Sequence, residues 1–192
     1  MQKQNDKIKD RDIELVEKTL KNADNFADII QSYQLPLSRY IKRLGCREND
    51  DINDLLQEIF IKVYINLNEY DSSLKFSSWI YRIAHNETIS FFRKKSVRPS
   101  FVTTQEGQNL IENIADATDF VKSLNEKLNA DILGKALLEI EQKYRDVLVL
   151  HFLEEKNYIE ISDILKLPIG TVGTLINRGK KRLKNILFNK KL

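Results

Sequence analysis

The sequence predicts an all-α protein of two small helical domains joined by a flexible acidic linker. Glycine and proline number only six and three, and most fall between periodic segments. Apolar residues recur at spacings of three and four along most of the chain, with few alternating β-branched runs. That periodicity lapses once, over residues 97–130, where acidic residues collect and aromatic residues almost vanish. With 192 residues, 42% hydrophobic and 31% charged, the chain is globular in composition and has room for one domain or two small ones.

In chain order, residues 1–23 form an N-terminal helical extension and residues 24–96 a first domain. Ile13, Val16 and Leu20, then Phe26, Ile29, Ile30 and Tyr33, mark one or two amphipathic helices that should end before Pro36. Leu37 to Leu44 reads as a short helix stopped by Gly45 as its C-cap. Asn49 to Asn66 opens on an acidic first turn, favourable at a helix N-terminus, and buries Ile52, Leu55, Leu56, Ile59, Phe60 and Val63. After a polar loop to Lys75, the segment FSSWIYRIAHNETISFFRKK (76–95) places Phe76, Ile80, Ile83, Ala84 and Phe91 on one helix face. Arg82, Asn86, Ser90 and Arg93 fall on another face, with Trp79 at the border.

Between Gln105 and Asp131 stand six acids against two bases, which reads as a linker without structure of its own. Residues 131–192 form the second domain. Leu137, Ile140, Tyr144, Val147, Leu148 and His151 share a stripe, a short helix follows over Tyr158–Leu165, and a turn through Lys166–Gly170 leads into a second helix near Thr171. Ile161, Ile164, Leu165, Val172, Ile176 and Leu183 are spaced to close a small core, the helix-turn-helix pattern.

The formal net charge is only +3, but the charges are sectored. Residues 48–58 hold five acids and no base, whereas residues 171–192 hold seven bases and no acid, which suits different faces to different partners. On the second helix Thr174, Asn177, Arg178 and Lys181 share a face away from Val172 and Ile176. Asn and Arg can read base edges, while Lys and Thr mostly hold phosphates. The 76–95 helix offers another chemistry: an amide, arginines and an indole suit unstacked bases, which need a stacking face and an edge partner. Each aromatic there has packing as its competing role.

No enzyme chemistry is legible. There is no glycine-rich phosphate loop, nucleophile elbow or Cys/His cluster, so no catalytic residue, cofactor or metal site is expected. Asp50, Asp51 and Asp54 lack the glycine and closing glutamate of a calcium loop. His85 and His151 read as structural or surface residues, and Cys46, the only cysteine, as buried and inert. The lack of disulfide pairing, of an apolar leader and of any apolar run near 18 residues points to a cytoplasmic protein that does not enter the membrane.

Three motifs occur in a telling order: DINDLLQEIFIKVYINL (51–67), FSSWIYRIAHNETISFFRKK (76–95) and YRDVLVLHFLEEKNYIEISDILKLPIGTVGTLINRGKKRL (144–183). They resemble regions 2.2, 2.3–2.4 and 4 of the sigma-70 family, in its compact extracytoplasmic-function group, from about Asp24 to Leu187. The resemblance implies a region 2 bundle and a region 4 helix-turn-helix, and a dissociable initiation subunit of bacterial RNA polymerase. It implies docking on the clamp helices of the largest core subunit through Asp51, Asp54, Gln57, Glu58 and Lys62, with the flap as a second polymerase contact. Trp79, Arg82, Asn86 and Arg93, with the preceding loop, would capture the melted −10 strand. Thr171, Thr174, Asn177, Arg178 and Lys181 would read the −35 element as duplex, and the linker would thread toward the active centre and RNA exit channel. An anti-sigma factor at the membrane is a common partner in the group, although nothing in the sequence identifies one.

The chain departs from that pattern in places. Gly173 and Leu175 stand where the family usually has basic residues, with Leu175 able to join the core. Ser162 and Lys166 replace small residues of the helix-turn-helix, and Lys166 implies a different turn. The alternative is a stand-alone helix-turn-helix regulator whose first domain senses a ligand or dimerises; no pocket or dimer helix is legible for it.

Overall fold

In the computed structural model, residues 2–96 and 130–189 are described, with side chains for 11–95 and 132–188. The linker expected over 97–130 lies almost wholly outside the described residues. Every regular element among them is helical: α1 (Gln2–Lys21), α2 (Phe26–Leu44), α3 (Asn49–Ile65), α4 (Phe76–Ser96), α5 (Ala130–Glu139), α6 (Gln142–Leu148), α7 (Tyr158–Leu165) and α8 (Ile169–Asn189). Short 3₁₀ turns at Ala23–Asn25 and Leu67–Glu69 join the early helices, and α6 runs into a π turn at Val149–Leu153.

The first bundle, α1–α4, closes over Ile29, Leu37, Tyr40, Ile41, Ile52, Ile59, Val63, Phe76, Ile80 and Ala84, with Val16 contributed by α1. Phe76 is its aromatic hub, with ring centroids 5.6 Å from Tyr33, 5.2 Å from Tyr70 and 5.6 Å from Trp79. Tyr33 donates from its hydroxyl to Asp12 Oδ2 at 2.7 Å, tying α1 to α2. Gly45 ends α2 with φ of 122°, a conformation that a side chain rarely adopts, and its amide bonds the Lys42 carbonyl at 3.1 Å.

The expected helix end before Pro36 is corrected: α2 continues through it to Leu44. A mid-helix proline costs roughly 3 kcal/mol through its lost N–H and its ring clash. Leu37, Tyr40, Ile41 and Leu44 extend the buried stripe of Ile29 and Tyr33 past the proline. Each such side chain contributes about 1.5–3 kcal/mol on burial, so packing outweighs the break.

The second bundle, α5–α8, buries Val147, Leu148, Leu150, Ile161, Ile164, Val172, Ile176 and Leu183. Helix α7 spans the residues expected of it and begins with a capping box, in which the Asn157 side chain accepts from the Glu160 amide and Glu160 accepts from the Asn157 amide. Lys166 takes the left-handed conformation that ends α7, which is how this turn accommodates a residue other than glycine. Helix α8 starts two residues before Thr171, at Ile169, with Pro168 just outside it. It crosses α6 at Gly179, where a Cβ would stand 3.1 Å from Leu148 Cγ and 3.3 Å from Tyr144 Cβ.

The two bundles touch. Helix α7 lies on α4, and the end of α2 meets α5. Arg145 fastens the second contact: its guanidinium donates to the Leu137, Leu138 and Ile140 carbonyls and, across the junction, to the Leu44 carbonyl at 2.9 Å. One arginine thus satisfies the last carbonyls of two helices from different bundles. Beside it, His85 Nδ1 is 3.0 Å from the Tyr40 hydroxyl, and its Nε2 lies 3.8 Å from Asp146 Oδ2. Burial pulls the imidazole down to about 4 and pushes Asp146 up to about 7. At neutral pH the imidazole is therefore uncharged, and the contact is not an ion pair.

Two expected outcomes follow from this packing. Gly179→Val should lower stability by roughly 1–3 kcal/mol through overpacking against α6. Gly134→Ala in α5, where a Cβ meets nothing within 4 Å, should raise it by about 0.5–1 kcal/mol through helix propensity; paired calorimetric scans measure both. Asp146 titrates higher when folded than its ordinary value of 3.8. Its stabilisation is therefore fully present below that value, drains as pH rises to about 7, and stays lost above. His85 acts oppositely, losing stability as pH falls from 6.5 through about 4, but is common to both proteins compared. Asp146→Asn should raise the thermal midpoint near pH 8 and leave it nearly unchanged near pH 4.

Candidate protein and nucleic-acid interfaces

Three surfaces carry the residues singled out in the sequence. On α3 the buried stripe faces α2 and α4, which turns Asp54, Gln57 and Glu58 to solvent. Asp51 and Lys62, expected on the same docking face, are tied to α4 instead: Asp51 accepts from Lys95 at 2.6 Å and Lys62 pairs with Glu87 at 2.7 Å. The open face also holds Ile61 and Ile65, exposed by 58% and 67%. Sequence reading passed over both, although an apolar i, i+4 pair lying off the buried stripe is a legible sign of a contact surface.

On α4 the polar stripe is divided. Asn86 and Arg93 are exposed, whereas Arg82 is half-buried with its guanidinium 3.8 Å from Asp163 of α7. Trp79, placed at the border from its position in the sequence, is only 7% exposed. Its indole stacks on Phe76 at 29° between planes and abuts Tyr70 at 5.6 Å. In this arrangement it supports the loop instead of offering a stacking face. Phe91 is half-buried against the core, with Lys95 Nζ 5.2 Å from its ring centroid.

The loop leading into α4 is shaped by its own groups. Asp71 Oδ1 accepts from the Ser73 amide at 2.9 Å, which holds the Asp71 carboxyl below its usual range, and the Tyr70 hydroxyl donates to the Leu74 carbonyl at 2.7 Å. Lys75, at the loop's end, reaches Glu160 Oε1 at 3.0 Å. Arg43 and Lys75 are cationic residues beside this face that sequence reading did not single out. They belong to a helix end and a loop with no periodicity to mark them.

On α8, Val172 and Ile176 are fully buried, and Thr171, Thr174, Arg178 and Lys181 project outward, with Asn177 half-buried. Thr174 donates its hydroxyl to the Gly170 carbonyl at 2.9 Å, which steadies the first turn. Leu175 is half-buried against the core. A Cβ at Gly173 would meet Tyr158 at an ordinary 3.5 Å, so space does not dictate glycine there. Ile159, in the first turn of α7, and Ile169, at the start of α8, are exposed by 70% and 51%.

The other candidates are structural. His151 Nδ1 contacts the Lys156 carbonyl at 3.0 Å, with its ring against Phe152 and Tyr158. Cys46 is buried, and burial pushes its thiol up. Among the described residues no three His, Cys, Asp or Glu stand together as metal ligands, and no helix is long and apolar enough to cross a membrane.

Comparison with known proteins agrees with this geometry. The family description Sigma-70 region 2 matches residues 29–98, and Sigma-70, region 4 matches residues 130–183. The ECF RNA polymerase sigma factor SigW of Bacillus subtilis (strain 168) is 36% identical over 173 residues, covering 85% of this chain and 89% of its own length. The ECF RNA polymerase sigma-E factor of Escherichia coli (strain K12) is 27% identical over 180 residues, covering 90% and 91%. Among solved structures, CnrH in complex with the cytosolic domain of CnrY aligns over 93% of this chain and 97% of its own, with a TM-score of 0.67 at 18% identity. The sigma factor RpoE from Bartonella quintana, in complex with the anti-sigma factor NepR, covers 83% and 96% with a TM-score of 0.59 at 21% identity. Those two likenesses concern the fold. With both halves matched in order and SigW related over most of its length, the chain belongs to the sigma-70 family, in its extracytoplasmic-function group.

Proposed function

We propose that the chain acts as a sigma factor through three separate surfaces, one for core polymerase and two for promoter DNA. The observation that supports this reading is a pair of different polar helix faces, one on each bundle. Helix α8 presents Thr171, Thr174, Asn177, Arg178 and Lys181 beyond a buried Val172–Ile176 seam, the geometry of a major-groove reader. Helix α4 presents Arg82, Asn86 and Arg93 beside an ordered loop, which suits a single strand whose bases have left the stack.

Docking on the largest-subunit clamp helices uses Asp54, Gln57 and Glu58, with Ile61 and Ile65 as the apolar part of the patch. Asp51 and Lys62 brace this helix through their α4 partners. Melting follows from differential binding. A surface that prefers the unpaired −10 strand to the duplex stabilises the open complex by the difference, while α8 anchors the −35 duplex. RNA synthesis belongs to the core enzyme, the chain has no reaction of its own, and it works in the cytoplasm. The stand-alone regulator is not favoured, because the exposed α3 patch and the α4 stripe would have no task in it.

Transcription in vitro with purified core polymerase tests the reading directly; sequence-specific duplex binding by the chain alone, with no core-dependent initiation, would overturn it. Variants on each of the three helices separate the surfaces. Ile61→Asp with Ile65→Asp should weaken core binding by tenfold or more, about 1.4 kcal/mol, without altering the thermal midpoint appreciably. Asn86→Ala should keep core affinity but reduce permanganate-detected melting at the −10 element. On α8, Arg178→Ala should cost about 1–3 kcal/mol at a specific base pair, whereas Lys181→Ala should weaken all sequences alike and flatten the salt dependence.

A further inference from the structure

A cleft of about 360 Å³ opens where α1, α2 and α4 meet the segment leading into α7. Its volume is within the range of small-molecule sites. The polar lining includes Arg11, Asp12, Ser32, Glu155 and Lys156, backed by the rings of Tyr33, Phe76 and Tyr81. Several energetically costly features converge there. Pro36, also on the wall, has no N–H, so the Ser32 carbonyl one turn earlier lacks the donor that a helix normally supplies. On the second bundle, the chain leaves α6 through the π turn at Val149–Leu153 and then holds Glu155 at a φ of 53°. Both conformations are uncommon, and both recur at binding sites.

Lys156 is the least satisfied group of the cleft. Its ammonium sits over the Tyr81 ring at 4.5 Å. Among the described residues it has no hydrogen bond and no ion pair, and burial pulls it below the usual lysine range. The buried acids nearby already have partners. Glu154 accepts from Arg43 at 2.6 Å and from the Tyr81 hydroxyl at 2.8 Å, Glu160 from Lys75 at 3.0 Å, and Asp12 from Tyr33 at 2.7 Å. Left over are an ammonium without an acceptor, a carbonyl without a donor, and one exposed charge of each sign, Arg11 and Glu155.

We propose that this cleft binds a small zwitterion of the amino-acid class, with its carboxylate on Lys156 and Arg11 and its ammonium toward the Ser32 carbonyl and Glu155. The inference goes beyond the sigma-factor reading and does not depend on it. A lone anion would answer Lys156 but would meet the fields of Glu160, Glu154 and Asp12, all of which act on that ammonium. A lone cation would answer the carbonyl and leave Lys156 as it stands. A ligand with both charges satisfies both groups and adds no net charge, and buried charge is stable only where it is paired and hydrogen-bonded. The lining comes from both bundles, so the site exists only in the folded full chain.

The test is calorimetric titration of the full chain with each of the common L-amino acids, with acetate and methylammonium as single-charge probes. At least one amino acid should bind with a Kd of about 1 mM or tighter. Acetate and methylammonium should each bind at least about tenfold more weakly, the scale of one lost hydrogen bond to a charged group. Lys156→Met keeps the apolar stem, removes the ammonium, and should weaken the amino acid about tenfold. Pro36→Ala returns an N–H to the Ser32 carbonyl. It should raise the thermal midpoint of the free chain and at the same time weaken binding, a pairing that a purely structural proline would not produce. Circular dichroism verifies that both variants fold; if Lys156→Met folds poorly, Pro36→Ala alone decides. The proposal is overturned if no amino acid binds more tightly than about 10 mM, or if either single-charge probe binds as well as the amino acid. Unchanged affinity in a folded variant overturns it too.

Discussion

Burial of the Phe76–Ile80–Ala84 edge of α4 is the constraint on which the other surfaces depend. Phe76 gathers Tyr33, Tyr70 and Trp79 around one ring, which fixes the rotation of α4 about its axis. Once that rotation is set, the helical period alone turns Arg82, Asn86 and Arg93 away from that edge, Arg82 toward α7 and the other two toward solvent. The same cluster anchors Tyr70, and through it the loop that carries Lys75. A helix with a weaker apolar edge would present the same polar residues without a fixed direction.

Division of labour between the bundles follows from how each one spends its polar residues. In α3, Asp50 and Asp51 in the N-terminal turn favour the helix dipole, and Asp54 and Glu58 further along stay exposed. In α8, bases crowd the C-terminal half, again the favourable end. Between them, Glu160 serves two structures at once, closing the α7 capping box and receiving Lys75 from the other bundle. Local helix capping and domain closure are thereby linked through one carboxylate.

The junction adds a polar layer to the apolar core that the two bundles share. Its polar contacts are ion pairs, a guanidinium on helix carbonyls, and an uncharged imidazole beside a carboxyl group raised by burial. Charged seams of this kind gain little net stability after desolvation, and they exchange partners readily.

Much of this was legible in the amino-acid order. The apolar period located the helices, glycine at 45 ended α2, and the polar face of α8 followed from spacing, because helix geometry acts over a few residues. The path of α2 through Pro36 was not legible, since the stripe that rescues it gains its energy only when α3 and α4 cover it. Trp79 looked like a border residue because its neighbours Tyr70 and Phe76 come together only through the loop's fold. The cross-bundle partners of Arg43, Lys75 and Arg82 stand 81 to 111 residues away in the chain, beyond any local pattern. Sequence determined which side chains each helix shows. Only tertiary packing decided which of them are open to a partner, because covering one helix with another is a contact that no periodicity encodes.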